Sequence, residues 1–96
     1  MLKESNLKLT PEARPAISRT HRFQWEEVQN CHVILYPEGM VKLSASAGEI
    51  LRRCDGQRSV GDVIVDLKQQ FPDHDLGPDV KKFLEEAHEH GWIRTR

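Results

Sequence analysis

The chain has 96 residues, of which 38% are hydrophobic and 30% are charged, and this composition is typical of one small soluble domain. Its formal net charge of −1 provides no long-range field that would gather nucleic-acid phosphates or an acidic membrane surface. No apolar run approaches the roughly 20 residues of a membrane span, and the polar N-terminus lacks the apolar block of a secretory signal, so we expect a cytoplasmic protein with no membrane segment.

The first 20 residues are polar, mixed in charge and interrupted by Pro11 and Pro15. Their few apolar side chains follow no sustained period. We therefore predict a flexible or exchanging N-terminal arm over residues 1–20 and a folded, peptide-binding domain over residues 21–96. The oligomeric state stays open between a monomer and a homodimer formed by exchange of a strand or of the arm.

Three strands are predicted after the arm, joined by short turns. Residues 21–26 alternate apolar and polar side chains, residues 31–36 are nearly all apolar, and residues 40–43 alternate again. Short connections favour an antiparallel meander. In such a meander the third strand is an exposed edge.

Three helices are predicted to follow the strands. Ser46 with Glu49 three residues later forms a capping-box pattern for the first helix, and Ser59 caps the second. Pro78 lies in the first turn of the third helix, which ends at Gly91. The predicted fold class is α+β: a winged-helix-like domain with a three-stranded antiparallel meander followed by a three-helix bundle.

We find no residue pattern that is typical of catalysis or of a metal site. His88 and His90 are two residues apart on a predicted helix and therefore point in different directions. No three or four His or Cys residues have the spacing of zinc ligands. The nearby Glu85, Glu86 and Glu89 favour an exposed acidic face over a pair of catalytic carboxylates. We therefore expect no catalytic residues, no metal and no cofactor, and a protein that is not an enzyme.

A winged-helix outline raises the alternative of a DNA-binding regulator, which needs a recognition helix that contacts bases and phosphates. The third helix carries Lys81 and Lys82 against the acidic residues Asp79, Glu85, Glu86 and Glu89. A helix with net negative charge gains little from the release of counterions from DNA. The sequence therefore disfavours nucleic acid as a partner.

Several motifs occur in a fixed order in the second half of the chain. Residues 43–60 read LSASAGEILRRCDGQRSV, and they are followed by Phe71-Pro72 and by Gly91-Trp92-Ile93. This set resembles the pyrroloquinoline quinone biosynthesis protein D (PqqD) family, the free-standing members of the recognition elements for ribosomally made, modified peptides (RiPPs). The resemblance runs from about Pro11 to Ile93. Ser44 departs from it, because many relatives carry Asn there, although Ser can also cap a helix.

The resemblance implies a domain with no activity of its own. Such proteins bind a ribosomal precursor peptide and present it to a radical SAM enzyme, which crosslinks a Glu and a Tyr of that peptide. The peptide is expected between the third strand and the third helix. A PqqD-like recognition element that serves another modified-peptide pathway is a further alternative.

The residues themselves favour the same kind of site, because an edge strand leaves N–H and C=O groups that an extended peptide can complete. We expect peptide contacts from the strand residues Met40, Val41, Lys42, Leu43 and Ser44. On the third helix, the expected contacts are Lys81, Leu84, Glu85 and His88. The apolar members of this set can equally belong to the core, whereas Lys42 and Lys81 would attract an acidic peptide.

Overall fold

The structure is a computed structural model and describes residues 9–95 of the chain. These residues contain five strands and three helices. The strands are β1 (Pro15–Ile17), β2 (Arg22–Glu26), β3 (Cys31–Tyr36), β4 (Gly39–Lys42) and β5 (Ile93–Thr95). The helices are α1 (Ala45–Leu51), α2 (Val60–Gln70) and α3 (Gly77–Glu89). The predicted α+β class, a meander before three helices, is confirmed. Within these residues, no helix has the length and apolar character needed to cross a bilayer.

The central sheet has the strand order β2-β3-β4, and both of its strand pairs are antiparallel. Phe23 lies opposite Ile34, and Ile34 lies opposite Val41, so these side chains share one face of the sheet. Ile34 is fully buried, and the other two pack against the same core. The face that alternation predicts to be apolar is therefore the one that packs on the helices.

The core lies between this face and the three helices. Its most deeply buried side chains come from β3 and from all three helices and include Ile34, Leu51, Val60, Val63 and Leu84. Leu9 and Ile93 are buried in the same core, although they lie near opposite ends of the described range. Both ends of the described range therefore contribute to one core.

The first helix begins earlier than predicted. Ser44 is its N-cap, since the Ser44 Oγ accepts a hydrogen bond from the Ala47 N–H at 3.1 Å. The predicted capping box from Ser46 to Glu49 is therefore wrong. The physical reason is the burial of Leu43 directly after β4, which leaves the next residue in the extended conformation that an N-cap requires.

The ends of the other two helices agree with the sequence. The Ser59 Oγ accepts a hydrogen bond from the Asp62 N–H at 3.0 Å, and the Asp62 carboxylate accepts one from the Ser59 N–H at 3.1 Å. This reciprocal pair is the capping box of α2. Pro78 lies in the first turn of α3, and Gly91 follows the helix with a φ of +82°, which ends it.

Part of the segment predicted as an arm lies on the domain. Its strand β1 pairs antiparallel with β5, and together they form a second sheet that the sequence does not predict. The Ala13 carbonyl oxygen accepts a hydrogen bond from the Val60 N–H at 2.8 Å. The Pro11 carbonyl oxygen accepts one from the Gly61 N–H at 3.0 Å. The segment thus pairs donors that a helix leaves free at its start. Residues 1–8 lie outside the described residues, and exchange of the arm between copies stays a prediction.

A buried arginine joins α1 to α2. The Arg53 side chain is 4% exposed; its Nη1 donates to the Glu49 carboxylate at 2.9 Å, and its Nε donates to the Asp66 carboxylate at 2.5 Å. Its Nη2 donates to the side-chain oxygen of Gln70. These partners offset the cost of burying a guanidinium. Hydrogen bonds from Arg53 hold the pKa of Glu49 and that of Asp66 below their ordinary values.

The sheet and α1 approach each other closely where His32 faces Gly48. The His32 ring stacks on Phe23 with ring centroids 4.8 Å apart and meets Trp25 edge-on at 5.1 Å. A Cβ atom at position 48 would lie only 2.7 Å from the His32 Nδ1. Because the ring is held by its aromatic neighbours, it has little room to move away, and the crossing needs a glycine.

We predict that Gly48→Ala destabilises the protein even though alanine is the better helix former. The helix preference of alanine over glycine is worth about 1 kcal/mol. Overpacking a close contact costs about 1–3 kcal/mol, and here it also displaces a stacked ring. We therefore expect a net loss of about 1 kcal/mol in the free energy of unfolding, measured by urea denaturation.

Gly61→Ala on α2 is the matched control, because a Cβ atom there meets nothing closer than 3.5 Å. This variant should retain or gain stability. If both alanine variants were equally stable, the contact between His32 and α1 would not limit the packing of the sheet.

A second prediction concerns the arginine that joins α1 to α2. Arg53→Met should lower the free energy of unfolding near neutral pH by roughly 1–3 kcal/mol, because hydrogen bonds to charged partners are lost. It should also weaken the acid dependence of stability. A carboxylate with a lowered pKa stabilises the folded state above its unfolded pKa, and this contribution is lost as the pH falls below the ordinary values of 4.5 for Glu49 and 3.8 for Asp66.

Urea unfolding at neutral pH and at about pH 3 measures both effects. Arg52→Met is the matched control, since the Arg52 side chain is exposed and donates to the Glu49 carboxylate at a longer distance, 3.2 Å. It should change stability less at either pH. An Arg53→Met protein that lost as much stability on acidification as the unchanged protein would contradict the assigned role of the ion pairs.

Candidate functional site

β4 is a free edge of the central sheet in the described part of the chain, where β3 is its only neighbour. Just past β4, the Leu43 N–H donates a hydrogen bond to the His32 carbonyl oxygen at 3.0 Å. Hydrogen-bonding direction alternates along an antiparallel strand, so the N–H and C=O groups of Met40 and Lys42 point away from β3. These groups are open to pairing with another extended chain.

The side chains of this edge divide between the two faces of the sheet. Val41 is partly buried against the core, and Leu43 is buried in it. Met40 and Lys42 are exposed on the opposite face. Of the five contact residues predicted here, Leu43 is therefore part of the core, whereas Met40, Val41, Lys42 and Ser44 can be reached from solvent.

A groove of about 640 Å³ opens at the end of β4. Its walls come from the beginning of α1, the end of α2, the loop that follows α2 and the first turns of α3. The lining is mainly apolar and includes Ala47, Ile50, Phe71, Leu76, Val80 and Phe83. The predicted contact residue Ser44 also lines the groove, so the groove continues directly from the free edge.

One flank of α3 faces this groove. It carries Asp79, Val80 and Phe83. The other flank begins at Gly77, where an added Cβ atom would contact Ile64 of α2 at 3.8 Å. At its first turn, the helix therefore also packs close to the middle of α2. Phe83 is not among the predicted contact residues, because its helical spacing from Val80 and Ala87 is also that of a core residue.

The predicted contact residues of α3 do not lie on the groove flank. At 100° per residue, Lys81, Glu85 and His88 are about 140–160° around the helix from Phe83. Leu84 is 0% exposed and belongs to the core. None of these four side chains is among the residues that line the groove. Peptide contacts by Lys81, Glu85 and His88 stay a prediction.

The polar groups of the groove lie at its rim. Glu49 lines the groove from α1, where Arg52 and Arg53 keep its carboxylate ionised by lowering its pKa. Asp79 lies in the first turn of α3, where the helix dipole favours a negative charge. His74 belongs to the loop between α2 and α3. An apolar floor with a charged rim suits a side chain that buries an apolar body next to a polar backbone.

Two candidate chemistries, metal binding and a reactive thiol, can be compared with the described residues. They contain no group of three or more His, Cys, Asp or Glu side chains that could hold a metal ion. Burial raises the pKa of the Cys54 thiol to about 12, so this thiol stays protonated at neutral pH. What the site presents is a row of unpaired backbone groups beside an apolar groove.

Several known proteins are similar to this chain in sequence. Residues 31–93 match the family model described as Coenzyme PQQ synthesis protein D (PqqD). A PqqA binding protein of Azotobacter vinelandii is 52% identical over 80 residues, which cover 82% of this chain and 87% of that protein. A PqqA binding protein of Pseudomonas aeruginosa is 50% identical over 83 residues, which cover 85% of this chain and 90% of that protein.

A solved structure shares the fold. It is the solution NMR structure of the PqqD truncation of Methylobacterium extorquens PqqCD, described as a functional and stand-alone RiPP recognition element. It matches with a TM-score of 0.73 and 25% identity, over 92% of this chain and 96% of that one. The family match over residues 31–93 and the identity to curated relatives lead to one conclusion: the chain belongs to the PqqD family.

Proposed function

We propose that this protein is a peptide chaperone of pyrroloquinoline quinone biosynthesis. It binds the ribosomal precursor peptide and presents it to a radical SAM enzyme, which crosslinks a Glu and a Tyr of the peptide. The observation that carries the proposal is the free edge of β4 next to an apolar groove. The names of the relatives, PqqA binding proteins, support it, as does the description of the solved neighbour as a recognition element.

The peptide binds as an additional strand beside β4. Its backbone pairs with the outward N–H and C=O groups of Met40 and Lys42. Alternate side chains of an added strand point to the inner face of the sheet, on the side of Val41. At the end of β4, next to Ser44, one such side chain reaches the groove and packs against Phe83.

The magnitudes are consistent with binding that is firm but reversible. A few new hydrogen bonds along the edge contribute about 1 kcal/mol each. One or two buried aliphatic or aromatic anchors add roughly 1.5–3 kcal/mol each. After the costs of association and of ordering the peptide, a dissociation constant in the micromolar range or somewhat below is expected. A chaperone must release its cargo to the enzyme, and this affinity permits release.

Catalysis belongs to the partner in this scheme. The protein positions the peptide. It holds one section extended along β4 and leaves the other peptide residues free for the enzyme. We also propose that the protein acts in the cytoplasm, where precursor peptides are made. The section of the bound peptide that extends past the groove would have to cross α3 in order to contact Lys81, Glu85 and His88.

Blocking the outward backbone donor of β4 tests the binding mode. Lys42→Pro removes the N–H that points away from β3, whereas native pairing with β3 does not use that group. We expect about a tenfold or greater loss of affinity for the precursor peptide, since one hydrogen bond is lost and the proline ring obstructs the added strand. Isothermal titration calorimetry with the synthetic peptide measures the effect.

Lys42→Ala is the matched control, because it removes the charge and retains the N–H. Its affinity should stay within about threefold of that of the unchanged protein, as expected for an exposed charge. The urea midpoint of the proline variant shows whether the sheet is intact. An intact Lys42→Pro protein that bound the peptide as tightly as Lys42→Ala would rule out pairing at this edge.

A further inference from the structure

The turn between β2 and β3 presents apolar side chains that the folded domain does not cover. Val28 is 86% exposed and Trp25 is 48% exposed. We call residues 25–30, which contain both, the hairpin tip. Large apolar side chains in this setting are typical of surfaces that contact another protein. Tryptophan in particular is common among the residues that dominate binding energy at protein interfaces.

The hairpin tip is held in one conformation. The Asn30 N–H donates to the Glu26 carbonyl oxygen at 2.8 Å, and Asn30 adopts a left-handed φ of +58° that closes the turn. The Trp25 ring is fixed edge-on against His32, which is itself stacked on Phe23. A surface that is ordered before binding loses little conformational entropy when a partner docks.

The charge of the hairpin tip has one sign. Residues 23–41 contain no Lys or Arg, and they include Glu26 and Glu27 within the tip. An apolar contact flanked by carboxylates is complementary to an apolar recess bordered by basic side chains. A second acidic surface would be repelled.

The hairpin tip and the groove are built from different residues, since none of residues 25–30 lines the groove. β2 and β4 are the two outer strands of the central sheet, with β3 between them. Trp25 packs on the His32 ring, which faces α1 at Gly48. Ala47 and Ile50 of the same helix line the groove. The register puts Trp25 opposite His32 and Lys42 opposite Val33, so the hairpin tip and the end of β4 lie at the same end of the sheet. A partner on the hairpin tip therefore contacts residues other than those of the groove and of the free edge.

We propose that the hairpin tip is the docking surface for the enzyme that modifies the bound peptide, and that this enzyme meets it with an apolar recess bordered by Lys or Arg. The inference rests on the proposed function, because a carrier that transfers cargo must bind cargo and recipient at the same time. Two separate surfaces allow such a three-component complex.

Val28→Lys tests the proposal, because the side chain is almost fully exposed and the change places a positive charge against a basic border. Glu27→Lys is the second variant. Val65→Lys is the matched control, since Val65 is also apolar and 55% exposed but lies on α2. The binding partner used is the radical SAM enzyme of the same pyrroloquinoline quinone pathway, titrated with the full-length protein alone and with the peptide present.

We expect both tip variants to bind the enzyme about tenfold more weakly or worse, with peptide affinity unchanged within about twofold. Val65→Lys should change neither. Added salt should weaken the binding of the enzyme to the unchanged protein, as it does for complementary charges.

Enzyme binding that is equal in the tip variants and in the unchanged protein would overturn the inference. An unchanged protein that does not bind the enzyme would also overturn it. A third contrary outcome is a change confined to the mass of the free protein in sedimentation, because the tip would then be a contact between two copies of this chain. Peptide binding is followed separately through the amide signals of β4. If the peptide causes no amide shifts along β4 in the unchanged protein, the proposed function is refuted. If those shifts are present and the tip variants bind the enzyme as the unchanged protein does, the docking surface alone is refuted.

Discussion

The burial of Leu43 is the constraint on which the site depends. This side chain enters the core directly after β4, and its N–H still pairs with β3. The next residue, Ser44, therefore has the extended conformation that caps α1. Because only Leu43 and Ser44 join the strand to the helix, the wall of the groove begins two residues after the free edge ends. The two parts of the site are thus placed by one buried residue.

Local patterns in the sequence predict most of the fold. Alternation identifies β2 and β4, a nearly continuous apolar run identifies β3, and Ser59 identifies the start of α2, because all of these signals come from residues close in the chain. The pairing of β1 with β5 is not predicted, since it joins segments almost the full length of the chain apart. The error at Ser46 has another origin. Two serines offered a cap, and only the burial of Leu43 decides between them.

The candidate site was predicted in part. The exposed edge follows from strand order, which short turns dictate, and Met40, Val41 and Lys42 do lie there. The contribution of α3 was assigned to Lys81, Glu85 and His88, whereas the groove is lined by the flank that carries Phe83. Helical periodicity defines the flanks of a helix but does not say which neighbour each flank meets. A half-buried phenylalanine also has the same periodicity as a core residue.

The pairing of β1 with β5 has a consequence for how the chain matures on the ribosome. Ile17 and Ile93 are partners in the small sheet, so β1 waits for almost the entire chain to be synthesised before it can pair. Until Ile93 has been synthesised, the core around Leu9 is incomplete, because both side chains belong to the same hydrophobic cluster. Closing so long a loop loses more conformational entropy than forming a local helix does. We therefore expect the nascent chain to form its helices and hairpins first and to pair β1 with β5 last.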